Sequence, residues 1–335
     1  MKGLVGHEPS DARSSKWPNE QECWNVRVVV AGGAGFIGSH LCERLLLEDC
    51  EVVCIDDLSS GSENNIARCL EQPGFTFLEH DVSEEIRLDG HIDSILHLAS
   101  AASPKDYLAN PLKTMYSGSF GTKNILELAE RCGATFLLTS TSEIYGDPEV
   151  HPQVESYWGR VNPTGPRSVY DEAKRFAEAL TYAFMRERGV SVRVARIFNT
   201  YGPRLRPSDG RVVSNFIHQA LTSRPITVYG DGSQTRSLCY VDDQVSGLLS
   251  LLKSDFCDPV NIGNPQEITV LSLAETIIGL TQSSSQIVFE SLPIDDPTRR
   301  CPDISRAKQM LGWEPMIGLQ VGLERTIEWM SGEIS

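Results

Sequence analysis

The sequence predicts an α/β fold, a doubly wound parallel sheet followed by a smaller C-terminal substrate-binding region. Three observations predict it. Residues 26–31, a β-branched run, pass straight into Gly32-Gly33-Ala34-Gly35-Phe36-Ile37-Gly38 and then into a helical stretch. A second run of the same kind ends in Asp56-Asp57, and strand and helix patterns go on alternating as far as Phe198. Alternation of this type makes successive strands parallel and sends ligands to their carboxyl ends, the Rossmann-type arrangement.

Glycines at 33, 35 and 38 fit G-x-G-x-x-G, and those at 32, 35 and 38 fit the G-x-x-G-x-x-G variant. Between a strand and a helix they permit a tight turn and close approach of a pyrophosphate. Gly32, Gly35, Phe36, Ile37 and Gly38 are therefore expected at a dinucleotide. The second strand, 51–55, leads into Asp56 at the distance where a carboxylate meets a ribose 2′-hydroxyl and repels a 2′-phosphate. NAD rather than NADP follows, with Asp56 as the principal ribose ligand and Asp57 as a secondary one.

A third strand, 75–78, ends near Asp81 and Val82, which would flank the adenine. A fourth, 94–100, carries Leu98 and Ser100 toward the cofactor. After a proline-bearing loop, helical periodicity covers 112–132 and is followed by a fifth strand, 135–140. Directly at its end lies Ser140-Thr141-Ser142-Glu143-Ile144-Tyr145-Gly146, where this topology puts chemistry. Ser and Thr there are also ordinary loop hydrogen-bonders, and Glu143 an ordinary loop charge.

Tyr170 and Lys174 stand four apart in a helical segment and so share one face. A free phenol has pKa ~10, and a base near neutral pH needs a shift of ~3 units. A lysine ammonium one turn away, with a cationic nicotinamide, is the field that supplies it. A sixth strand, 191–198, ends in Asn199; beyond it the alternation breaks, with a helix over 212–222 and turns at Asn264-Pro265 and 311–315. The expected division is an arm over 1–24, a mainly NAD-binding domain over 25–198 and a mainly substrate-binding region over 199–335, with some chain crossing back to the sheet.

Composition narrows the function classes. With 335 residues, 40% hydrophobic and 22% charged, the chain can bury a large core. No run approaches the ~18 to 20 apolar residues of a membrane span, and the first 24 residues read as a flexible arm without an export signal. The nine cysteines form no Cys-x-x-Cys pair; they read as reduced, buried thiols and point to the cytoplasm. No metal-ligand set is read. A net charge of −15 argues against nucleic acid and anionic membranes. Nine arginines between Arg186 and Arg236, with Arg299-Arg300 beyond them, are either solvated surface or a local anion site.

Taken together, Gly-x-x-Gly-x-x-Gly, Asp56-Asp57, Ser140-Thr141-Ser142 before Tyr145-Gly146, Tyr170-x-x-x-Lys174, Phe198-Asn-x-Tyr-Gly-Pro-Arg204 and the closing Asp303-Ile-x-x-Ala-Lys-x-x-Leu-Gly-Trp313 resemble the extended short-chain dehydrogenase/reductases that act on nucleotide sugars. Within them, the segments beginning at Glu143, Asp209 and Tyr229 are similar to the UDP-glucuronate decarboxylases. Dehydratase relatives carry Asp-Glu where this chain has Ser142-Glu143, and simple 4-epimerases lack the glutamate.

The resemblance implies oxidation of UDP-glucuronate at C4, loss of C6 as CO2 and re-reduction by the same NAD, giving UDP-xylose. It implies Tyr170 as acid-base, Lys174 as its partner, Thr141 at the C4 oxygen, and Ser142 and Glu143 near C5 and the carboxylate. It further implies Asn199, Arg211, Tyr229, Arg236, Arg300 and Tyr116 at the substrate, and Ser59, Gly61 and Ser117 at NAD. A homodimer through 112–132 and 168–188 is implied as well. Two departures stand out: Tyr116-Ser117-Gly118 replaces Lys-Thr-Asn, and Ala101 replaces a proline. An enzyme stopping at the 4-keto pentose, a 4-epimerase and a non-catalytic nucleotide-sugar binder remain as alternatives.

Overall fold

The computed structural model describes residues 26–292 and 299–334; the expected arm over 1–24 lies outside them. The first half of the chain runs β1 (Arg27–Ala31), α1 (Phe36–Leu47), β2 (Glu51–Asp56), α2 (Glu63–Leu70), β3 (Phe75–Glu79) and β4 (Ser94–His97). It continues through α3 (Pro104–Ala109), α4 (Pro111–Tyr116), α5 (Thr122–Cys132), β5 (Thr135–Thr141), α6 (Ser168–Arg188) and β6 (Val192–Ile197). Then come β7 (Thr200–Tyr201), α7 (Val212–Leu221), β8 (Ile226–Tyr229), β9 (Thr235–Ser237), β10 (Cys239–Tyr240) and α8 (Val241–Lys253). The chain closes with β11 (Val260–Ile262), β12 (Glu267–Thr269), α9 (Val270–Thr281), β13 (Ile287–Glu290), α10 (Ser305–Leu311) and α11 (Leu319–Ile334).

The main sheet has seven strands in the order β11-β6-β5-β4-β1-β2-β3, all paired in parallel. The chain winds outward from β1 to β3 and returns beside β1 as β4, so the crevice opens where β1 and β4 part. Period-2 side chains divide the core into two layers. Val28 and Val30 pack with Leu41 and Leu45 of α1 on one face. Val29 and Ala31 pack with Ile125 and Leu126 of α5 and with Ala177 and Phe184 of α6 on the other. Strands buried on both faces read as continuous apolar runs, which is why residues 27–31 carry so clear a signal.

Three features differ from the sequence reading. A seventh strand, β11, joins the sheet from the C-terminal stretch, paired to β6; three residues are too few to show a period. Three two-stranded pairs, β10 with β7, β12 with β9 and β13 with β8, replace the plain covering region. The single helix expected over 112–132 is α4 and α5 joined by a π-helical turn, Ser117–Gly121, while α3 occupies part of the expected loop, with Pro104 in its first turn. At that wide turn a Cβ on Gly118 would lie 2.7 Å from Cβ of Ala173 on α6, so the glycine is what permits the helices to close. α6 ends on Gly189 in the left-handed conformation, φ 68°. No helix among the described residues is long and apolar enough to cross a membrane.

Candidate active site

Two cavities meet beyond the carboxyl ends of the central strands and share Ile37, Tyr170 and Arg211 in their walls. The first lies over the β1–α1 turn. Gly32 has φ +84°, and a Cβ there would sit 2.6 Å from the Ala99 nitrogen; one on Gly38 would sit 2.1 Å from the Gly32 oxygen. Only hydrogen fits at either position, so backbone meets backbone and the start of α1 is exposed to the cavity. Gly35, Phe36, Ile37 and Gly38 line it, and the first N–H groups of a helix have no preceding turn to bond.

Asp56 closes β2 in the same wall. Its carboxylate accepts from the Ala34 nitrogen at 3.0 Å and from the Leu58 nitrogen at 2.9 Å; burial pushes its pKa up against those bonds. Asp57 accepts from the nitrogen and hydroxyl of Ser59 and pairs with Lys113 at 2.7 Å. Burial raises its pKa, but the Lys113 and Ser59 bonds outweigh it and hold the carboxyl below its usual range. Ser59, Val82, Leu98, Ser100 and Ser117 all line this cavity. Gly61 and Asp81 stand behind the wall instead. A Cβ on Gly61 would meet Oδ1 of Asp56 at 2.8 Å, and the Asp81 carboxylate is taken by the Ser83 nitrogen and hydroxyl. The hydroxyls of Ser100 and Ser140 are buried here without a hydrogen-bond partner. Such groups are costly unless a ligand satisfies them. With the glycine turn and Asp56, this donor set fits a dinucleotide.

Tyr170 and Lys174 are both buried. Lys174 donates from Nζ to the Thr139 carbonyl at 3.0 Å and sits 5.9 Å from the centre of the Tyr170 ring. Burial brings its pKa down to about 8. Tyr170 is hydrogen-bonded with Thr141, yet burial outweighs that bond and pushes its phenol up. The protein's own groups thus keep the phenol protonated, and of the two positive charges expected to lower it, the lysine is the one the chain itself supplies. Behind them His97 is held neutral, at about 3, by burial and by the charge of Lys174.

The second cavity is lined by Thr141, Ser142, Glu143, Asn199, Arg211, Tyr229, Arg236 and Arg300. Glu143 receives Nη2 of Arg167 at 2.6 Å and Nη2 of Arg300 at 3.0 Å. Burial raises its pKa, but Arg300 and Arg167 prevail and keep it ionised. Arg300 also donates to the carbonyls of Ser142 and Gly146, at 3.2 and 2.7 Å, so it is committed to the 141–146 turn rather than offered to a diphosphate. Arg211 pairs with Asp209, Arg204 with Glu43, Arg206 with Asp106 and Arg196 with Glu178. The arginine-rich stretch is thus largely ion-paired framework, from which Arg204, Arg206, Arg211 and Arg236 reach the cavities.

Tyr116 reaches neither cavity. It is 47% exposed at the end of α4 with its ring 5.6 Å from that of Phe120, so the expected substrate contact is corrected to a surface position. The helix turns this side chain away from the wall that Ser117 lines.

Three residues were missed. Arg167 lies one turn before Asp171 and braces Glu143. Tyr107 stacks on Tyr170, 5.3 Å between ring centres and 7° between planes, with its buried hydroxyl unpartnered. Lys113 pairs across the first cavity. Neither Arg167 nor Lys113 belongs to a motif, and only the fold shows what they face. Buried thiols were expected throughout, but Cys257 is exposed.

The sequence matches the NAD dependent epimerase/dehydratase family over residues 28–263. It is 52% identical over 308 residues to UDP-glucuronic acid decarboxylase 1 of Danio rerio, covering 92% of this chain and 73% of that one. It is 51% identical over 316 residues to UDP-glucuronic acid decarboxylase 6 of Arabidopsis thaliana, covering 94% and 90%. Among solved structures, UDP-glucose 4-epimerase of Thermotoga maritima with UDP-glucose superposes with TM-score 0.84 at 29% identity, covering 92% of this chain and 100% of that one. The UDP-glucuronic acid 4-epimerase of Bacillus cereus, with UDP-glucuronic acid and NAD, gives 0.80 at 26%, with the same coverage.

Proposed function

The chain belongs to the NAD dependent epimerase/dehydratase family, and from that premise we propose that it converts UDP-glucuronate to UDP-xylose and CO2 with NAD. The observation that carries this reading is the position of Tyr170. It is bonded to Thr141 and set in the wall common to both cavities, beside a Glu143 that Arg167 and Arg300 keep ionised. The chain's relatives at about half identity are named for that decarboxylation, and the alternative activities are not favoured.

In this reading residues 25–198 mainly hold NAD and residues 199–335 mainly hold the UDP-sugar. Gly32, Gly35 and the start of α1 would take the pyrophosphate, Asp56 the ribose hydroxyls, and Ser100 and Ser140 would gain the partners they lack. Bound NAD supplies a hydride acceptor at the sugar C4 and afterwards the donor. Tyr170 accepts the C4-hydroxyl proton at its phenol oxygen, and Thr141 shares that hydrogen bond. Lys174, anchored on the Thr139 carbonyl, adds one positive charge beside the phenol. Because burial holds Tyr170 protonated, the base forms only when a second positive charge enters the first cavity.

With C4 a ketone, the C6 carboxylate is β to it and leaves as CO2; its bonding electrons pass toward the C4 oxygen as an enolate, which takes a proton from water at C5 and so restores the C4 ketone that is then reduced. The hydroxyls of Thr141 and Tyr170 stabilise that oxygen. Glu143, fixed and charged, accepts from sugar hydroxyls and sits where a second carboxylate is unwelcome, which favours departure of C6. Ser142 leaves no acid to protonate a leaving hydroxyl at C6. Asn199, Arg211, Tyr229 and Arg236 would position the nucleotide and sugar. NMR of the product formed from UDP-glucuronate and NAD tests the reading: UDP-xylose upholds it, whereas a 4-keto pentose or a C4 epimer as end product reassigns the chain to a sister activity.

We propose a homodimer in a reducing, cytoplasmic setting. Leu112, Met115, Tyr116, Phe120 and Phe176 are exposed apolar side chains on the helical segments expected to pair, and the described cysteines are all free.

A further inference from the structure

The structure brings together three side chains that stand far apart in sequence. His151 Nε2 lies 3.0 Å from Oε2 of Glu267. Those two atoms and Sγ of Cys301 all lie within 4.8 Å of one another. Imidazole, carboxylate and thiol form the donor set that zinc-class cations take, with bonds of about 2.0–2.3 Å and ligand atoms about 3.3–3.8 Å apart in a tetrahedron. Closing the trio onto one ion shortens its widest separation by at most about 1–1.5 Å.

The three segments are laced together by the backbone. The Gln153 nitrogen donates to the Cys301 carbonyl at 2.8 Å and the Asp303 nitrogen to the Gln153 carbonyl at 2.9 Å. The Cys301 nitrogen donates to Oε1 of Gln153 at 2.9 Å. Glu267 sits on β12, paired opposite Ser237, and Thr235 donates its hydroxyl to Oε1 of Glu267 at 2.5 Å. That bond orients the carboxylate and leaves Oε2 toward His151, as second-layer partners of metal ligands do. Cys301 is buried; its thiol donates at long range to carbonyls, 3.4 Å to Pro265 and 3.9 Å to Pro302, and has the Ser237 hydroxyl as a further hydrogen-bond neighbour.

We propose that His151, Glu267 and Cys301 bind a divalent cation of the zinc class. Nε2, Oε2 and the thiolate sulfur are its protein ligands, and water takes the fourth place on the exposed side of His151 and Glu267. Binding expels the thiol proton to solvent. The ion ties the Arg300-Cys301 segment, whose arginine braces Glu143, to β12 and to the stretch carrying His151.

Cobalt(II) reports this directly, because a thiolate ligand gives it a near-ultraviolet charge-transfer band and tetrahedral coordination gives visible d–d bands. Titration of the reduced full-length protein should produce both, saturating at one ion, and Cys301→Ser should lose the charge-transfer band. Zinc at about a hundred times its Kd should raise Tm by about 4 °C in the wild type and leave Cys301→Ser unmoved. Should that variant fail to fold, the half-exposed His151→Ala replaces it, with a loss of at least tenfold in cobalt affinity expected. A wild type without the charge-transfer band, or variants that bind cobalt as it does, overturn the assignment.

Discussion

Arg300 meets Glu143 across 157 residues of chain, Nη2 to Oε2 at 3.0 Å, with the arginine side chain 2% exposed. This contact joins the C-terminal region to the turn after β5, and so couples the second cavity to the central sheet.

Breaking one side of a buried ion pair is expensive because the other charge stays behind. Arg300→Met should lower the unfolding free energy by about 3–5 kcal/mol, measured by urea denaturation. A loss below about 1 kcal/mol would mean that Arg167, 2.6 Å from the same carboxylate oxygen, compensates Glu143 without Arg300.

Asp171 follows Tyr170 with Oδ1 buried and unpartnered. Burial, then the charge of Glu143, pushes its pKa up to about 7. An unfolded aspartate titrates at ~3.9, so between about pH 4 and pH 7 the folded chain keeps a proton that the unfolded one has lost. Stability attributable to this group therefore falls as pH rises through that window. Asp171→Asn should gain on the wild type by about 1–3 kcal/mol from pH 4 to pH 8. Denaturation curves that stay parallel over that range would contradict the buried, raised state.

Gly118 and Ala173 are fitted to each other. Gly118→Ala should cost about 1–3 kcal/mol by overpacking. Ala173→Gly alone should cost about 1 kcal/mol of helix propensity. Combined, they should be less destabilising than the sum, with a coupling of at least about 1 kcal/mol. Simple additivity would show that α4 and α6 shift apart freely.

Tyr116→Ala should leave the KM for UDP-glucuronate unchanged, because the side chain lies outside both cavities. It should weaken the proposed dimer by about tenfold or more, read by sedimentation equilibrium. A raised KM with unchanged self-association would return Tyr116 to the substrate.

The sheet and the chemical turn were legible because each is local. β-Branched runs, a glycine turn and a Tyr–Lys pair one helical turn apart leave periodic traces. β11 did not, being three residues long. Tyr116 was set at the substrate by the resemblance, as the residue standing where relatives carry lysine, whereas its ring lies exposed beside Phe120. Arg300 was legible as a cation but not as the brace of Glu143, and His151, Glu267 and Cys301 had no spacing to announce them. Contacts between distant segments are fixed only by the fold. The behaviour of Tyr170 escaped for another reason: the spacing gives the lysine's charge, but not the burial that opposes it.

The most direct measurement is CO2 release from UDP-glucuronate in the presence of NAD, wild type beside Tyr170→Phe. The phenyl ring preserves the stack on Tyr107 and removes only the hydroxyl bonded to Thr141, so the variant should fold normally. CO2 should form from the wild type at a rate about 10²–10⁴ times that of the variant. Equal rates, or no CO2 from a wild type that binds the nucleotide sugar, would contradict it.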